Sequence, residues 1–429
     1  MTETLKTEPK PSNSRAATVQ QVVSPGGIKA WLVEDYTVPL VALELAFLGG
    51  ASQDPSSLPG VATLLAGLLD EGAGPYDAEA FHRILEENAI ELSFSADRDL
   101  FQGRLQTLAR NKAKAFELLG LAIAEARLDP EPLERVKSQI AAGLKREIND
   151  PDYVANRTFR RIAYAGHPYG APVRGDLDTV ASLSRPHIAD FRAANFGRDN
   201  LKIAVVGAID APTLAAYLDD VFGSLPQKAS LLPVPDVLFA GEGQRKVTTI
   251  DLPQSTIRFG RQGIARSDAD FIAATVVNHV LGGGVFSARL FREVREKRGL
   301  AYSVYSQLAT QDHAAMLFGG TSTKNERAAE SLEVIQGEIV SLAESGPSSE
   351  ELDKAKKYLI GSYALRFDSS TKIAAHLVRL QAEGYGVDYL DARNKLIEAV
   401  TLEDAKRAAK RLFGDGSLLV TVAGRPVGL

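Results

Sequence analysis

Short apolar runs separated by turn residues open the chain. Residues 19–23 and residues 28–33 flank the turn sequence SPGG at residues 24–27, which predicts a strand, a turn and a second strand. Residues 38–47 form a longer apolar run that stops at two glycines, Gly49 and Gly50, and this run predicts a third strand. The chain therefore begins in sheet structure.

Apolar residues with helical spacing dominate the next segment. The pattern predicts helices over residues 60–71, 77–88, 112–125 and 131–148. A short apolar run at residues 200–207 then predicts a buried strand. Strands and helices thus occur within the same half of the chain, which is typical of an α+β fold.

Two segments show neither the helical nor the strand pattern of apolar residues. Residues 1–17 are polar and contain no apolar core of a signal peptide, so we expect a disordered lead. Residues 224–245 are rich in proline and glycine and are predicted to form a linker. The predicted organisation is a lead (1–17), a first domain (18–223), a linker (224–245) and a second domain (246–429).

The second half repeats features of the first. Phe196-Gly197 precedes the apolar run ending at Gly207, and Phe413-Gly414 precedes a similar run ending at Gly424. Upstream, residues 132–137 (PLERVK) resemble residues 351–356 (ELDKAK), and the two pairs of segments have nearly equal separations. We therefore predict two related α+β domains.

Composition excludes several classes of protein. The 429 residues carry a net charge of −5, which argues against a nucleic-acid binder, and the absence of cysteine excludes disulfides and thiolate sites. No apolar stretch reaches the roughly 20 residues of a membrane span. The six histidines lie too far apart for a helical zinc pair, and phosphate-loop and serine-hydrolase motifs are missing.

Candidate chemistry is concentrated in residues 281–305 (LGGGVFSARLFREVREKRGLAYSVY). Leu290, Phe291 and Val294 have helical spacing, Gly299 is suited to end a helix, and the following residues alternate as in a strand. This reversal can bring Arg295 and Tyr302 together. Spacing alone favours Arg295 as one charge of a solvated helix face, among five basic residues: Arg289, Arg292, Arg295, Lys297 and Arg298.

The same segment resembles the C-terminal signature of the insulinase and mitochondrial-processing-peptidase family, G-G-G followed by S-x-L-x-x-x-[IV]-R-x-x-x-G-L-x-Y. A second resemblance lies at residues 60–72, which are similar to the family pattern G-x-A-H-x-x-E-H-x-x-x-x-G. Thr63, Ala66 and Gly67 stand at the two histidine ligands and the general-base glutamate. The position of the third ligand falls near Ala142, ahead of Asp150-Pro151, so we expect no metal site in this chain.

The resemblance implies a zinc-less subunit, similar to the non-catalytic processing-peptidase subunit, that pairs with an H-x-x-E-H subunit holding zinc. It implies that Arg295 and Tyr302 hold a peptide substrate and stabilise its oxyanion, and that Gly282, Gly283 and Gly284 contact substrate. It also implies two homologous domains, each a mixed sheet packed with helices. Bacterial relatives are often exported, so we expect the periplasm, and otherwise the cytoplasm. The alternatives are a structural scaffold and a peptide-binding homodimer of the same fold.

Overall fold

A computed structural model describes Arg15, residues 18–284 and residues 286–429. The predicted disordered lead, residues 1–17, lies outside the described residues except for Arg15. Eleven strands occur in the described part. They are β1 (Gln20–Val23), β2 (Lys29–Glu34), β3 (Leu40–Leu48), β4 (Ile90–Ala96), β5 (Leu100–Leu108), β6 (Leu201–Gly207), β7 (Arg245–Thr249), β8 (Gln254–Gln262), β9 (Ala301–Thr310), β10 (Ala315–Lys324) and β11 (Leu419–Gly424).

Helices alternate with these strands. The α-helices are α1 (Val61–Ala66), α2 (Ala78–Glu87), α3 (Lys112–Ala124), α4 (Pro130–Glu147), α5 (Pro151–Ala163), α6 (Leu177–Ser182), α7 (Arg185–Asn195), α8 (Ala211–Phe222), α9 (Phe271–Asn278), α10 (Ala328–Ser345), α11 (Ser349–Ser362), α12 (Ser370–Ala382), α13 (Tyr389–Ala399) and α14 (Leu402–Phe413). Two π-helical segments follow α9, at His279–Gly283 and Phe291–Glu296. The α+β prediction is confirmed.

Apart from the additional edge strand β1 in the first sheet, the two sheets have the same order of strands. The first sheet runs β1-β2-β6-β3-β5-β4 and the second runs β7-β11-β8-β10-β9. In each sheet the last strand of its half, β6 or β11, inserts beside a long central strand and pairs with it antiparallel. The repeated Phe-Gly dipeptides, Phe196-Gly197 and Phe413-Gly414, immediately precede these inserted strands. The internal repeat therefore marks equivalent positions in two sheets.

The structure differs from the predicted secondary structure at α1. A helix was predicted over residues 60–71, but α1 ends at Ala66 and Gly67 is its C-terminal cap. A Cβ at Gly67 would lie 2.8 Å from Val136 Cγ1, so α1 packs very closely against α4. This close packing accounts for a residue without a side chain at position 67.

Each sheet is covered on its second face by a helix from the other half. Helix α5 packs on β8 and β11, where Phe159, Phe318 and Leu419 share one buried cluster. Helix α12 packs on β3 and β6, where Ala46, Val206 and Leu377 share another. Hydrogen bonds support both crossings: Thr421 Oγ1 donates to Ala155 O at 2.9 Å, and Gln381 Nε2 donates to Ile203 O at 2.9 Å.

The segment between the halves is attached to the surface. Residues 223–244 contain no helix or strand, and β7 starts at Arg245. Leu232 N donates to Gln53 Oε1 at 2.7 Å in the first half, and Phe239 N donates to Gln262 Oε1 at 2.8 Å in the second. None of the described helices combines the length and apolar character of a membrane span.

Phe159→Ala is expected to lower the stability of both halves together. Phe159 is fully buried, and Gly260 accommodates its ring, since a Cβ at Gly260 would lie 2.7 Å from Phe159 Cζ. Truncating such a side chain costs about 3–5 kcal/mol. Calorimetry should show one unfolding transition that moves to lower temperature. Leu238→Ala, at a residue that is 79% exposed, is the control; two separate transitions of which only one moves would contradict the interlocked fold.

Candidate functional site

A helix-to-strand reversal positions the two candidate side chains. The π-helical segment Phe291–Glu296 carries Arg295 in its last turn, and Gly299 adopts a positive φ of 58° that suits a residue without a side chain. Leu300 N then donates to Val294 O at 2.9 Å, which closes the turn. Strand β9 starts at Ala301, so Tyr302 emerges beside the end of the helix.

Arg295 and Tyr302 are in direct contact. The guanidinium carbon of Arg295 lies 4.4 Å from the centre of the Tyr302 ring and 4.8 Å from that of Phe291. Such cation–π contacts hold a guanidinium in place without neutralising its charge. Tyr302 is 81% exposed, so its hydroxyl is accessible to a ligand.

The other four basic residues of this segment form ion pairs. Arg289 binds Glu351 through two nitrogens, at 2.7 and 2.8 Å, and its side chain is only 13% exposed. The remaining three surround one buried carboxylate, Glu293: they are Arg292 at 3.2 Å, Lys297 at 2.8 Å and Arg298 at 2.9 Å. Arg292, Lys297 and Arg298 remain 40–58% exposed, so this helix face is solvated as expected, but its charges are paired.

The pKa of Glu293 shows the effect of these three ion pairs. Burial raises the pKa of its carboxyl, but hydrogen bonds from Lys297, Arg298 and Arg292 outweigh burial and lower the pKa to about 2. Arg295 differs from its neighbours because it forms no ion pair within the described residues. Its charge is held by aromatic rings and remains available.

Arg295 and Tyr302 face a cavity of about 970 Å³. Strand β9 forms one wall, and it is an edge strand that pairs only with β10 in the described part of the chain. Helices α12 and α13 also line it. Four further arginines line this cavity, and the sequence analysis missed them: Arg266, Arg366, Arg379 and Arg393. They lie far apart in the sequence, so no spacing signal could have grouped them.

The glycine run is tightly packed at this cavity. A Cβ at Gly282 would lie 2.6 Å from Ser306 N of β9, and one at Gly284 would lie 2.9 Å from His279 Nε2. Gly282 and Gly283 line the cavity. Close approach of the backbone to β9 therefore accounts for Gly282 by packing, and its predicted contact with substrate stays a prediction.

The motif segment in the first half has a different character. Thr63 Oγ1 donates to Val173 O at 2.8 Å, Ala66 is buried, and Val136 fills the space beside Gly67. Ala142 is exposed on α4. The described residues include no group of three His, Asp or Glu side chains placed to hold a metal ion. The residues at this motif do not fit zinc.

Residues 182–359 match the family described as Peptidase M16 inactive domain. This segment contains Arg295 and Tyr302 but not the motif helix α1. Among curated proteins, the chain is 27% identical over 352 residues to "Non-peptidase homolog YmxG" of Helicobacter pylori, covering 82% of this chain and 81% of that protein. It is 23% identical over 412 residues to "Uncharacterized zinc protease YmxG" of Bacillus subtilis, covering 94% and 98%.

A solved structure supports the same relationship. The peptidase M16 inactive domain from Pseudomonas fluorescens superposes with a TM-score of 0.88 at 27% identity, covering 95% of this chain and 98% of that one. Residues 182–359 are thus similar to the peptidase M16 inactive domain, and the chain has the fold of that solved structure over 95% of its length.

Proposed function

We propose that the chain is the zinc-less subunit of a heterodimeric zinc peptidase and completes the active site with Arg295 and Tyr302. One observation carries this proposal: among the basic residues of its segment, Arg295 alone has no acidic partner in the described structure. It lies instead 4.4 Å from the ring of an exposed tyrosine, on the wall of a large cavity.

The two side chains suit the stabilisation of a developing oxyanion. A guanidinium is a fixed cation with several donors, and a phenol is a neutral donor. Because the aromatic contacts orient Arg295 without pairing its charge, the guanidinium needs no rearrangement before it meets a peptide carbonyl. Tyr302 presents its hydroxyl beside the same position.

The edge strand β9 supports a role in holding an extended peptide. An edge strand can add a further strand through main-chain hydrogen bonds, and side-chain pockets then select the sequence. The partner subunit would supply zinc, whose bound water attacks a carbonyl in this class of enzyme. In the proposed complex this chain contributes donors and a wall of the substrate chamber.

A scaffold role is the alternative. It is favoured by the name of the Helicobacter pylori relative, which describes a non-peptidase. A scaffold needs the fold and the subunit contact but has no use for an accessible Arg295–Tyr302 pair. Substitution of that pair should therefore impair peptidase activity of the complex if the chain completes the active site, and should have no such effect if it is a scaffold.

The purified chain alone is expected to bind no stoichiometric zinc and to cleave no peptide. The triple variant Thr63→His, Ala66→Glu, Gly67→His should also fail, because a third ligand is missing at Ala142 and Val136 occupies the space beside residue 67. Elemental analysis and a peptidase assay check both proteins. About one zinc per chain at a defined site, or zinc-dependent hydrolysis by the triple variant, would refute this expectation.

Tyr302→Phe is expected to lower kcat of the reconstituted complex by about 10²–10³ with little change in KM, because one oxyanion donor is lost. Arg295→Ala should lower kcat and also raise KM, since the guanidinium holds substrate as well. Steady-state kinetics provide the measurement, and size-exclusion chromatography verifies assembly.

Matched controls for these variants lie on the other half of the chain. Tyr36→Phe removes the hydroxyl of a tyrosine that is 61% exposed, and Arg110→Ala removes an exposed guanidinium. Both should retain wild-type rates. If Tyr302→Phe and Arg295→Ala also retain wild-type rates in an intact complex, the scaffold function is the better description.

A further inference from the structure

A second, smaller cavity in the first half is lined by four arginines. Its volume is about 230 Å³, and it lies among β4–β5, helices α4 and α5, and the loop at residues 170–175. The arginines are Arg98, Arg157, Arg160 and Arg174. No acidic side chain lines this cavity within the described residues.

Two of these arginines are largely buried and lack an ionic partner. Arg160 Nη1 is buried with no hydrogen-bond partner, and Arg98 Nε donates only to the main-chain oxygen of Tyr169, at 3.2 Å. Neither forms an ion pair in the part of the chain that the structure describes. Burial, and then repulsion from Arg160, lowers the pKa of Arg98 to about 10. The guanidiniums of Arg98 and Arg160 therefore repel each other, and neither has an ionic partner within the described residues.

Asp99 and Asp97 attract the charge of Arg98 more weakly than burial and Arg160 oppose it, and neither forms an ion pair with it in the described part of the chain. Asp99 accepts a hydrogen bond from Tyr169 Oη at 2.5 Å and another from Asp312 N at 3.3 Å, so its oxygens are directed to other groups. Burying a charge without a partner is costly, and buried charges in proteins are normally paired. The two buried guanidiniums therefore lack a directly bonded anion within the described residues.

The other two arginines stand at the mouth. Arg157 is 42% exposed and lies 3.7 Å from Asp176, and Arg174 is 41% exposed and pairs with Glu147. Their acidic partners lie outside the cavity lining, so both guanidiniums can turn a second edge toward a ligand. A guanidinium presents donors in a planar fork that matches carboxylate and phosphate oxygens.

We propose that this cavity, defined by Arg98, Arg157, Arg160 and Arg174, binds a phosphate-sized oxyanion. The volume is below the roughly 300–1,000 Å³ of sites for drug-sized ligands, so it admits a small anion or the anionic end of a molecule. Several guanidiniums around one small space favour a multiply charged oxyanion over a single carboxylate. The site is independent of the proposed peptidase function.

The cavity also adjoins the motif helix. Val173, whose main-chain oxygen accepts the Thr63 hydroxyl, lines it, and so does Leu144 of α4. An anion bound there would join α4, α5 and the 170–175 loop beside the helix whose metal positions are substituted. Binding is therefore expected to stabilise the fold as well.

Titration of the full chain with inorganic phosphate, at constant ionic strength against chloride, tests the site. We expect saturable binding by calorimetry and a rise in Tm. Arg160→Gln and Arg98→Gln should each weaken phosphate binding at least about tenfold, because each removes a charged donor. Both should leave Tm in chloride unchanged or higher, because they relieve the repulsion. Arg110→Gln, at an exposed arginine elsewhere, should bind as the wild type does.

The source of the phosphate group is resolved by a parallel titration with phenyl phosphate. Equal or tighter binding of the monoester indicates the phosphate end of a larger molecule, and weaker binding indicates the free ion; either supports the site. No saturable phosphate binding by the wild type overturns the proposal, whatever the variants do. Equal weakening in Arg110→Gln, or a loss of Tm in chloride for both Arg98→Gln and Arg160→Gln without loss of binding, also overturns it.

Discussion

The fold depends on the exchange of two helices between its halves. Each sheet has two apolar faces, but the helices of its own half cover only one. The second faces are covered by α5, which crosses to β8 and β11, and by α12, which crosses to β3 and β6. Asp150 accepts a hydrogen bond from Tyr153 N and Pro151 follows it, so the first crossing helix starts at a strong local signal. Because neither sheet is sealed without the other half, the relative position of the two halves is set by the packing of both cores.

That exchange also builds the cavity at Arg295 and Tyr302. Helix α12 is anchored on the first sheet through Leu377, while its other side presents Arg379 and Glu383 to the cavity. Glu383 in turn pairs with Arg266 of the second half at 2.9 Å. The part of the cavity wall that α12 forms is thus held by a core contact with the first sheet. Arg295, at the end of the π-helical segment, and Tyr302, at the start of β9, consequently share a cavity with a helix whose position is fixed.

Local patterns in the sequence were sufficient for much of the fold. The hairpin of β1 and β2, the central strand β3, helices α2, α3 and α4, and the buried strand β6 were predicted within a few residues of their bounds. The early end of α1 was missed because the apolar pattern continues to Leu69, and the packing of Gly67 against Val136 could not be foreseen because Val136 lies on another helix. The contact of Arg295 with Tyr302 was predictable because only six residues, which contain one turn, lie between them. The arginines of both cavities were not, because only the folded topology brings Arg98 to Arg160, or Arg266 to Arg393.

The two motif regions, residues 60–72 and residues 281–305, differ in whether their motif positions are filled by packing or open to a cavity. In the first half the substituted positions are closed: Val136 fills the space beside Gly67, Ala66 is buried, and the Thr63 hydroxyl bonds to a main-chain oxygen. In the second half the Arg295–Tyr302 pair remains open, although acidic residues stand close by and pair with every neighbouring basic residue. The cation–π contacts of Arg295 with Phe291 and Tyr302 are worth only about 0.5–1 kcal/mol at an exposed site, so they are a weak structural reason for leaving its charge unpaired. This difference between the halves supports the proposal of a chain that holds no metal at α1 and offers a charged donor to a ligand in the cavity.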